Sequence, residues 1–599
     1  MSTYAAPVRD MKFVLTRLAG IREVATLPGY EDAAPETVDA ILEEAAKFAA
    51  GILDPLNRSG DQEGARWRDG DVTTPTGFKD AYRQFVAGGW NALPFAPEWG
   101  GQGLPKLVAA AVEEMWGSAN LSFALCPMLS QGALHAVLSR GSAALKKAYG
   151  PKLVSGEWTG TMNLTEPQAG SDLALVRTRA EGRGDHYRIF GQKIFITYGE
   201  HDLAENIVHL VLARTPGAPE GVKGISLFLV PKFLLNDDFT PGRRNDLRCA
   251  SIEHKLGIHA SPTSVMVFGD AGDGAIGYLV GEENRGLEAM FVMMNDARFA
   301  VGLQGLSIAE RSYQRALAYA RERLQGRDPA SGGAAVPIIR HPDVRRMLML
   351  MKSQTEAMRA LAYATAAAHD AALRHPDPVS RQDNQAFVDL MIPVVKGWST
   401  ETAIDIASLG VQVHGGMGFI EETGAAQYYR DARITTIYEG TTGIQANDLV
   451  GRKIARDSGA AVKPYLARLR QFDAELAQSR SQDVRALRRT LAAGVACVSD
   501  CVDFILGTAN KNANAAYAGA VPFLKLMGIV AGGWQMARAA LVAERELETG
   551  RNADSLFHQA KITTARFYGD HVLAQATGLA ATVTKGSASV LAMSDEHFI

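Results

Sequence analysis

His186-Tyr-Arg-Ile-Phe-Gly-Gln-Lys-Ile-Phe-Ile-Thr197 interrupts a chain that is otherwise helical in rhythm on both sides. Within it, His186-Tyr-Arg-Ile-Phe190 and Ile194-Phe-Ile-Thr197 read as two short strands rich in β-branched and aromatic residues. The pattern returns in Asn206-Ile-Val-His-Leu-Val-Leu212, Gly224-Ile-Ser-Leu-Phe-Leu-Val230, Ser264-Val-Met-Val-Phe268 and Gly277-Tyr-Leu-Val280. Turn residues separate these runs, which predicts an antiparallel β domain over residues 161–285.

Outward from this insert the period changes to that of helices. Toward the N-terminus, Glu36 to Leu53 and Leu107 to Met115 are Ala/Leu/Glu-rich windows, and Gly60 to Pro75 reads as a loop between them. Toward the C-terminus, Tyr313, Leu317, Ala320 and Leu324 recur at helical spacing, as do Val344, Leu348, Met351, Thr355, Met358 and Ala362. Long helices side by side in a bundle satisfy such stripes. The expected order is an N-terminal helical domain (1–160), the β domain (161–285), a helical bundle (286–457) and an extra Ala-rich helical domain (458–599). The fold class is mainly α with a central β domain.

Composition excludes several functions. The 599 residues are 47% hydrophobic and 21% charged with a net charge of -3, a balance that fits a packed globular chain and not a disordered one. Residues 460–599 hold 15 Lys and Arg against 12 Asp and Glu, so no basic tail for nucleic acid stands out. Met1 to Asp10 lacks a basic stretch followed by an apolar run, so no secretory leader is expected. The apolar run Leu526 to Ala537 reads as too short to span a bilayer, so no transmembrane segment is expected. Four cysteines are too few for a disulfide framework, and Cys497 and Cys501 lack companions for zinc, so a reducing cytoplasm and no metal are expected.

Three segments carry candidate chemistry. In Arg430-Asp-Ala-Arg-Ile-Thr-Thr-Ile-Tyr-Glu-Gly-Thr-Thr-Gly-Ile-Gln-Ala-Asn447, Glu439 stands at the threshold of a helix. Thr442 and Gln445 fit a capping box, whose free N–H groups suit an anion, and Gly440 permits close approach of a ligand. A surface Glu favoured by the helix dipole is the other reading. Met162-Asn-Leu-Thr-Glu-Pro-Gln-Ala-Gly-Ser-Asp172 is a turn-rich loop that either contacts a polar ring or phosphate or caps a helix through Ser171-Asp172. Gln412-Val-His-Gly-Gly-Met-Gly-Phe419 reads first as a Gly-terminated helix, with phosphate cradling second. Gly100-Gly-Gln-Gly103 follows no strand and precedes Pro105, so it is set aside as a dinucleotide loop.

In this order the segments resemble the acyl-CoA dehydrogenase family. Leu164 to Asp172 and Gly191 to Thr197 look like its two flavin loops, Lys255-Leu-Gly-Ile-His-Ala-Ser261 like its β-domain marker, and Ile437-Tyr-Glu-Gly-Thr441 like its catalytic segment. Asp296-Ala-Arg298 resembles the opening of a family helix. The N-terminal stretch and the tail resemble the long bacterial branch that includes long-chain acyl-CoA and 3-methylmercaptopropionyl-CoA dehydrogenases. The resemblance implies FAD between the domains and an α,β-dehydrogenation of an acyl-CoA thioester to the trans-2-enoyl-CoA, as in β-oxidation. Glu439 would take the α proton, and burial by the acyl chain would raise its pKa. Its backbone N–H and a ribityl hydroxyl would polarise the thioester oxygen.

The same resemblance assigns cofactor contacts to Met162, Leu164, Thr165, Ser171, Phe195, Thr197 and Thr441, with Ser171 and Gly440 also facing substrate. Arg323, Gln412, Gly415 and Gly416 would reach the FAD pyrophosphate of a neighbouring subunit, which implies a homodimer. Arg298 would support the catalytic carboxylate, or alternatively form a bundle ion pair. Phe195 stands where the family usually has Trp, and Leu324-Gln-Gly326 departs from the usual Phe-Gly after the arginine. Ala297 occupies the place where some members carry their base, leaving Glu439 alone in that role; nitroalkane-oxidising relatives have Asp at the base position, so Glu439 argues against that chemistry. Electron-transfer flavoprotein is the implied acceptor. An acyl-CoA oxidase using oxygen and a flavin-bearing DNA-binding relative are the alternatives.

Overall fold

The computed structural model describes residues 4–328, 330, 332–549 and 554–599. Their contacts gather into two compact units: residues 47–104 with 119–300, and residues 1–46 with 105–118 and 301–599. The principal helices are α1 (Val8–Arg17), α2 (Lys106–Ala119), α3 (Leu121–Arg140), α4 (Gly286–Glu322), α5 (Pro342–Arg374), α6 (Pro378–His414), α7 (Ala425–Thr435), α8 (Thr442–Asn447), α9 (Val462–Ala477), α10 (Gln482–Thr508), α11 (Ala520–Glu548) and α12 (Ser555–His571).

The first unit carries the sheet: β1 (Thr159–Asn163), β2 (Arg179–Arg183), β3 (His186–Thr197), β4 (Ile207–Ala213), β5 (Ser226–Pro231), β6 (Leu247–Ile252), β7 (Thr263–Phe268) and β8 (Ala275–Leu279). The order is β6-β7-β3-β8-β5-β4-β1, with β2 paired to β3. Every residue of β4 is buried because both faces of the sheet are covered. Val208, Leu210 and Leu212 join a core with Leu134, Trp158 and Met290, while Val211 and Ala213 point the other way toward Ile189, Phe228 and Met266. The alternation is the period of two that a strand imposes.

Several expectations need correction here. The two runs read as separate strands form the single twelve-residue β3. The sheet is not wholly antiparallel: β1 pairs parallel with β4, from Thr159 opposite Ile207 to Asn163 opposite Val211. The excursion through β2 and β3 supplies the long crossover that a parallel pair requires. The Gly60 to Pro75 stretch is not a plain loop. A helix runs to Glu63, and Arg66–Arg68 pairs with Asp71–Thr73 as a hairpin. Gly60 is in that helix because a Cβ there would meet the Phe78 ring at 2.6 Å. Leu324 lies beyond α4, 56% exposed, in a hairpin formed by Leu324–Asp328 and Gly332–Pro337.

In the second unit the C-terminal helix α11 packs directly on α5 and α6 of the bundle. Gly528 and Gly532 allow this, since a Cβ on either would meet the indole of Trp398 at 2.1 and 2.7 Å. The apolar run there is longer than Leu526 to Ala537 suggests. By length and composition alone α3, α10 and α11 could each cross a membrane, with 72%, 39% and 89% of their most apolar windows buried inside the protein. Core burial accounts for the apolarity of α3 and α11.

A buried ionic network joins the termini of this unit to its bundle. Arg359, fully buried, donates to Glu114 at 2.6 Å, Glu310 at 2.7 Å and Asp10 at 2.6 Å, and Tyr363 donates to Glu114 at 2.6 Å. Lys561 from α12 pairs with Asp10 of α1 and with Glu356 of α5, the latter at 2.9 Å. Burial would raise the Asp10 carboxyl, but Lys561 and Arg359 outweigh it and hold it well below the usual range. Removing one member would leave uncompensated buried charge, at a cost of about 3–5 kcal/mol.

Candidate active site

The segment between α7 and α8 is a tight loop pinned from α6. The buried Lys396 ammonium donates to the carbonyl oxygens of Thr435 and Gly440, both at 2.8 Å. Gln445 Nε2 donates to the carbonyls of Glu439 at 3.1 Å and Gly440 at 3.3 Å. The Thr442 hydroxyl donates to Glu401 at 2.5 Å, and the Tyr438 hydroxyl donates to Gln304. These bonds hold Glu439 at φ 55° and Gly440 at φ 85°. A left-handed Glu costs of order 1–3 kcal/mol and persists only where the surroundings over-determine it, as at functional sites. Glu439 is half-buried. A Cβ at 440 would meet Gln445 Nε2 at 2.8 Å on a backbone that L side chains rarely adopt, so glycine is required.

The helix cap differs from expectation. Thr441, not Thr442, is the N-cap of α8, accepting from the Ile444 N–H at 3.3 Å. The N–H groups of Thr442 and Gln445 go to the carbonyls of Thr436 and Thr441 at 3.0 Å. The N–H groups of Thr442, Ile444 and Gln445 are therefore satisfied within the loop and helix, which leaves less for an anion than the sequence suggests. Gly415 terminates α6, as read from the glycine cluster, and a Cβ at Gly415 or Gly416 would meet nothing within 4 Å. Gln412 and Arg323 are exposed, and Gln412 precedes by seven residues the exposed Phe419, at 85%.

The other compact unit holds the remaining candidates. Met162, the one half-buried residue of β1, packs like Leu164 against the apolar core, and Thr165 follows. The Thr165 carbonyl accepts from the Ile194 N–H at 2.9 Å, and the Leu164 carbonyl from Lys193 Nζ at 3.0 Å. This brings Leu164 and Thr165 against the segment of β3 that carries Phe195 and Thr197. Phe195 is 59% exposed at φ 60°, an aromatic ring held outward on left-handed backbone. Ser171 is exposed, and Asp172 rather than Ser171 caps the short turn that follows, accepting from Ala174 N–H at 2.9 Å. Arg298 is buried on α4 in this unit, whereas Glu439 belongs to the other.

Three side chains that build these sites escaped the sequence reading. Glu166 accepts from Lys193 at 2.7 Å, the Thr178 hydroxyl at 2.6 Å, and the N–H groups of Arg177 and Thr178 at 2.8 and 3.0 Å. Burial would raise its carboxyl, but Lys193 and these hydrogen bonds prevail and hold it at about 2. Burial draws the Lys193 ammonium down to about 8, still protonated at neutral pH. Lys396 is the third. Charged residues within apolar windows were the available signal, since a buried Lys needs a partner.

Comparison with known proteins identifies the family. Family profiles described as acyl-CoA dehydrogenase N-terminal, middle and C-terminal domains match residues 35–157, 161–271 and 284–454, and one described as acetyl-CoA dehydrogenase C-terminal like matches 465–594. A 3-methylmercaptopropionyl-CoA dehydrogenase of Ruegeria pomeroyi is 51% identical over 99% of this chain and 100% of its own. The chain belongs to the acyl-CoA dehydrogenase family. A butyryl-CoA dehydrogenase of Syntrophomonas wolfei is 34% identical over 100% of this chain and 99% of its own. Among solved structures, an acyl-CoA dehydrogenase of Bacillus anthracis complexed with FAD aligns with a TM-score of 0.74 over 96% of this chain and 91% of its own; at 21% identity it shows the shared fold. As an acyl-CoA dehydrogenase, the protein is an oxidoreductase acting on CH–CH groups. The long C-terminal extension, α9 to α12, is part of the fold that the full-length relatives share.

Proposed function

We propose that this acyl-CoA dehydrogenase uses Glu439 as the base that removes the α proton of an acyl-CoA, with FAD as cofactor. The observation that carries the reading is the over-determined left-handed conformation of Glu439, held by Lys396 and Gln445 through the carbonyls on either side of the Glu439–Gly440 junction. A thioester α-hydrogen is a very weak acid, so the base must be positioned before substrate arrives and the carbonyl must be polarised as charge develops. Fixing the backbone fixes where the carboxylate begins, and the Glu439 N–H, on the preceding peptide, would serve as a donor to the thioester oxygen.

The residues present fit FAD. The outward ring of Phe195 offers a stacking face, and Thr165 and Thr197 are half-buried along the same pair of segments. Met162 and Leu164 are assigned to the same cofactor, and Gly415 and Gly416, whose backbone is open, to the FAD pyrophosphate of a partner subunit. Bound FAD supplies the two-electron acceptor for the β hydrogen. Ser171 and Thr441 are assigned to the same cofactor, and Arg298 to support of the carboxylate. Arg323 and Gln412 are assigned to the FAD of a partner subunit in a homodimer, and electron-transfer flavoprotein to reoxidation. The compartment is assigned as a reducing cytoplasm.

For the acyl group, the full-length similarity to the Ruegeria enzyme favours a short thioether chain, 3-methylmercaptopropionyl-CoA. Turnover of the flavin-loaded protein with C3 to C16 acyl-CoAs and the methylthio substrate, scored by reduction of electron-transfer flavoprotein against release of peroxide, tests the reading. Highest kcat/KM for the methylthio substrate with flavoprotein reduction is expected. Preference for long chains, or stoichiometric peroxide, contradicts it.

A further inference from the structure

A cavity of about 510 Å³ lies within the helical unit, walled by the segment after α1, by α5 and α6, and by the C-terminal helices α9 and α11. It is remote from the reacting loop: its α6 residue Phe387 precedes Lys396 by nine residues, roughly 13 Å along the helix axis. Its size falls within the range of small-molecule sites.

One wall gathers donors, two of them buried without an acceptor. Arg468 and Arg538 place their guanidinium groups over the Trp534 ring, 5.3 and 5.4 Å from its centroid. Arg538 donates to the Gln535 side-chain oxygen at 2.8 Å and to the Leu18 carbonyl at 2.7 Å, and forms no ion pair among the described residues. Trp534 Nε1 and Gln535 Nε2 are buried without any hydrogen-bond partner. Burial and the neighbouring Arg468 draw the Arg538 guanidinium down to about 10, so like charges crowd here. Glu23 is the one carboxylate among the lining residues and it is exposed; Arg17, also in the wall, already pairs with Glu546 at 2.6 Å.

Buried donors left unpaired cost roughly 1–3 kcal/mol each, and two of them, Trp534 Nε1 and Gln535 Nε2, beside two guanidinium groups on one cavity wall call for an anion. The opposite wall is apolar, made by alanines of α5 such as Ala364, Ala367 and Ala371 with Leu27. We propose that this cavity binds a small amphiphilic organic anion, its carboxylate or phosphate head on Arg468, Arg538, Trp534 and Gln535 and its short apolar body along the alanines of α5. The inference does not depend on the base or the acyl substrate assigned above.

Isothermal titration calorimetry of the flavin-loaded protein with hexanoate, hexyl phosphate and hexylamine tests it. Saturable binding of an anion and none of hexylamine is expected, the tighter of the two anions identifying the head group. Arg468→Met keeps the packing on Trp534 and should weaken anion binding at least about ten-fold, the loss of one charge-assisted contact, with turnover and thermal midpoint unchanged. If neither anion binds, if hexylamine binds as well as they do, or if Arg468→Met binds the anions as tightly, the proposal is overturned. Should that variant fold poorly, the comparison of hexanoate with hexylamine on the unaltered protein decides alone.

Discussion

Lys396 Nζ lies 2.8 Å from the carbonyl oxygen of Gly440, although 44 residues separate the two in the chain. The same ammonium holds Thr435, so a single buried side chain fixes both ends of the loop that presents Glu439. Under the proposed function Lys396 is a positioning residue, acting through the backbone and not on the substrate.

Lys396→Met should leave both carbonyls without their donor and let the loop relax. A displacement near 1 Å at a reacting group can lower rates about a hundred-fold. We expect kcat to fall by about that factor with KM for acyl-CoA changed far less and flavin content retained. Steady-state kinetics beside the flavin absorbance ratio reads all three, and a kcat within about three-fold of wild type, under 1 kcal/mol, contradicts the role.

Glu166 and Lys193 make a pH-dependent contribution to stability. Because the folded-state carboxyl lies at about 2, below its ordinary 4.5, Glu166 stabilises the fold above pH 4.5, and that contribution fades as pH falls through 2. Glu166→Gln strands a buried ammonium and should cost about 3 kcal/mol at pH 7. Urea midpoints of both proteins from pH 7 to pH 3 check this. The gap should narrow below pH 4.5, and a gap independent of pH contradicts it.

Phe419, beside the open backbone of Gly415 and Gly416, is 85% exposed, with Met417 at 48% and Ile420 at 43%. An apolar group of this kind marks a contact surface, which the proposed homodimer would cover. With α11 and α12 lying on the bundle of their own chain, the protein should sediment as a dimer and not as a tetramer. Phe419→Glu should shift it toward monomer and weaken flavin retention together. A wild-type monomer that holds one FAD per chain, or a stable tetramer, contradicts this.

The architecture was legible where burial leaves a period. The β4 run Ile207-Val-His-Leu-Val-Leu-Ala213 is apolar on both faces because both are covered, and α5 keeps its stripe over many turns. Reading failed where one residue answers to a distant one. Gly191 looked like a break between strands, yet β3 passes straight through it, because a Cβ there would meet Thr178 Oγ1 at 2.5 Å. Thr441 and Thr442 are equivalent caps by composition, and only the bond from Thr442 to Glu401 decides between them. The Glu439 segment was readable as a motif, whereas its anchors Lys396 and Gln445 and the Glu166–Lys193 pair are tertiary facts whose only local signal was a charge within an apolar window.

The assignment of Glu439 as base is tested most directly by anaerobic rapid mixing of flavin-loaded Glu439→Gln with 3-methylmercaptopropionyl-CoA, following flavin absorbance. The amide keeps the shape of the side chain but cannot accept a proton, and loss of a positioned base costs about 10²–10⁴-fold or more. The account predicts bound flavin, bound substrate and bleaching slowed at least that far. Bleaching at near the wild-type rate would contradict it.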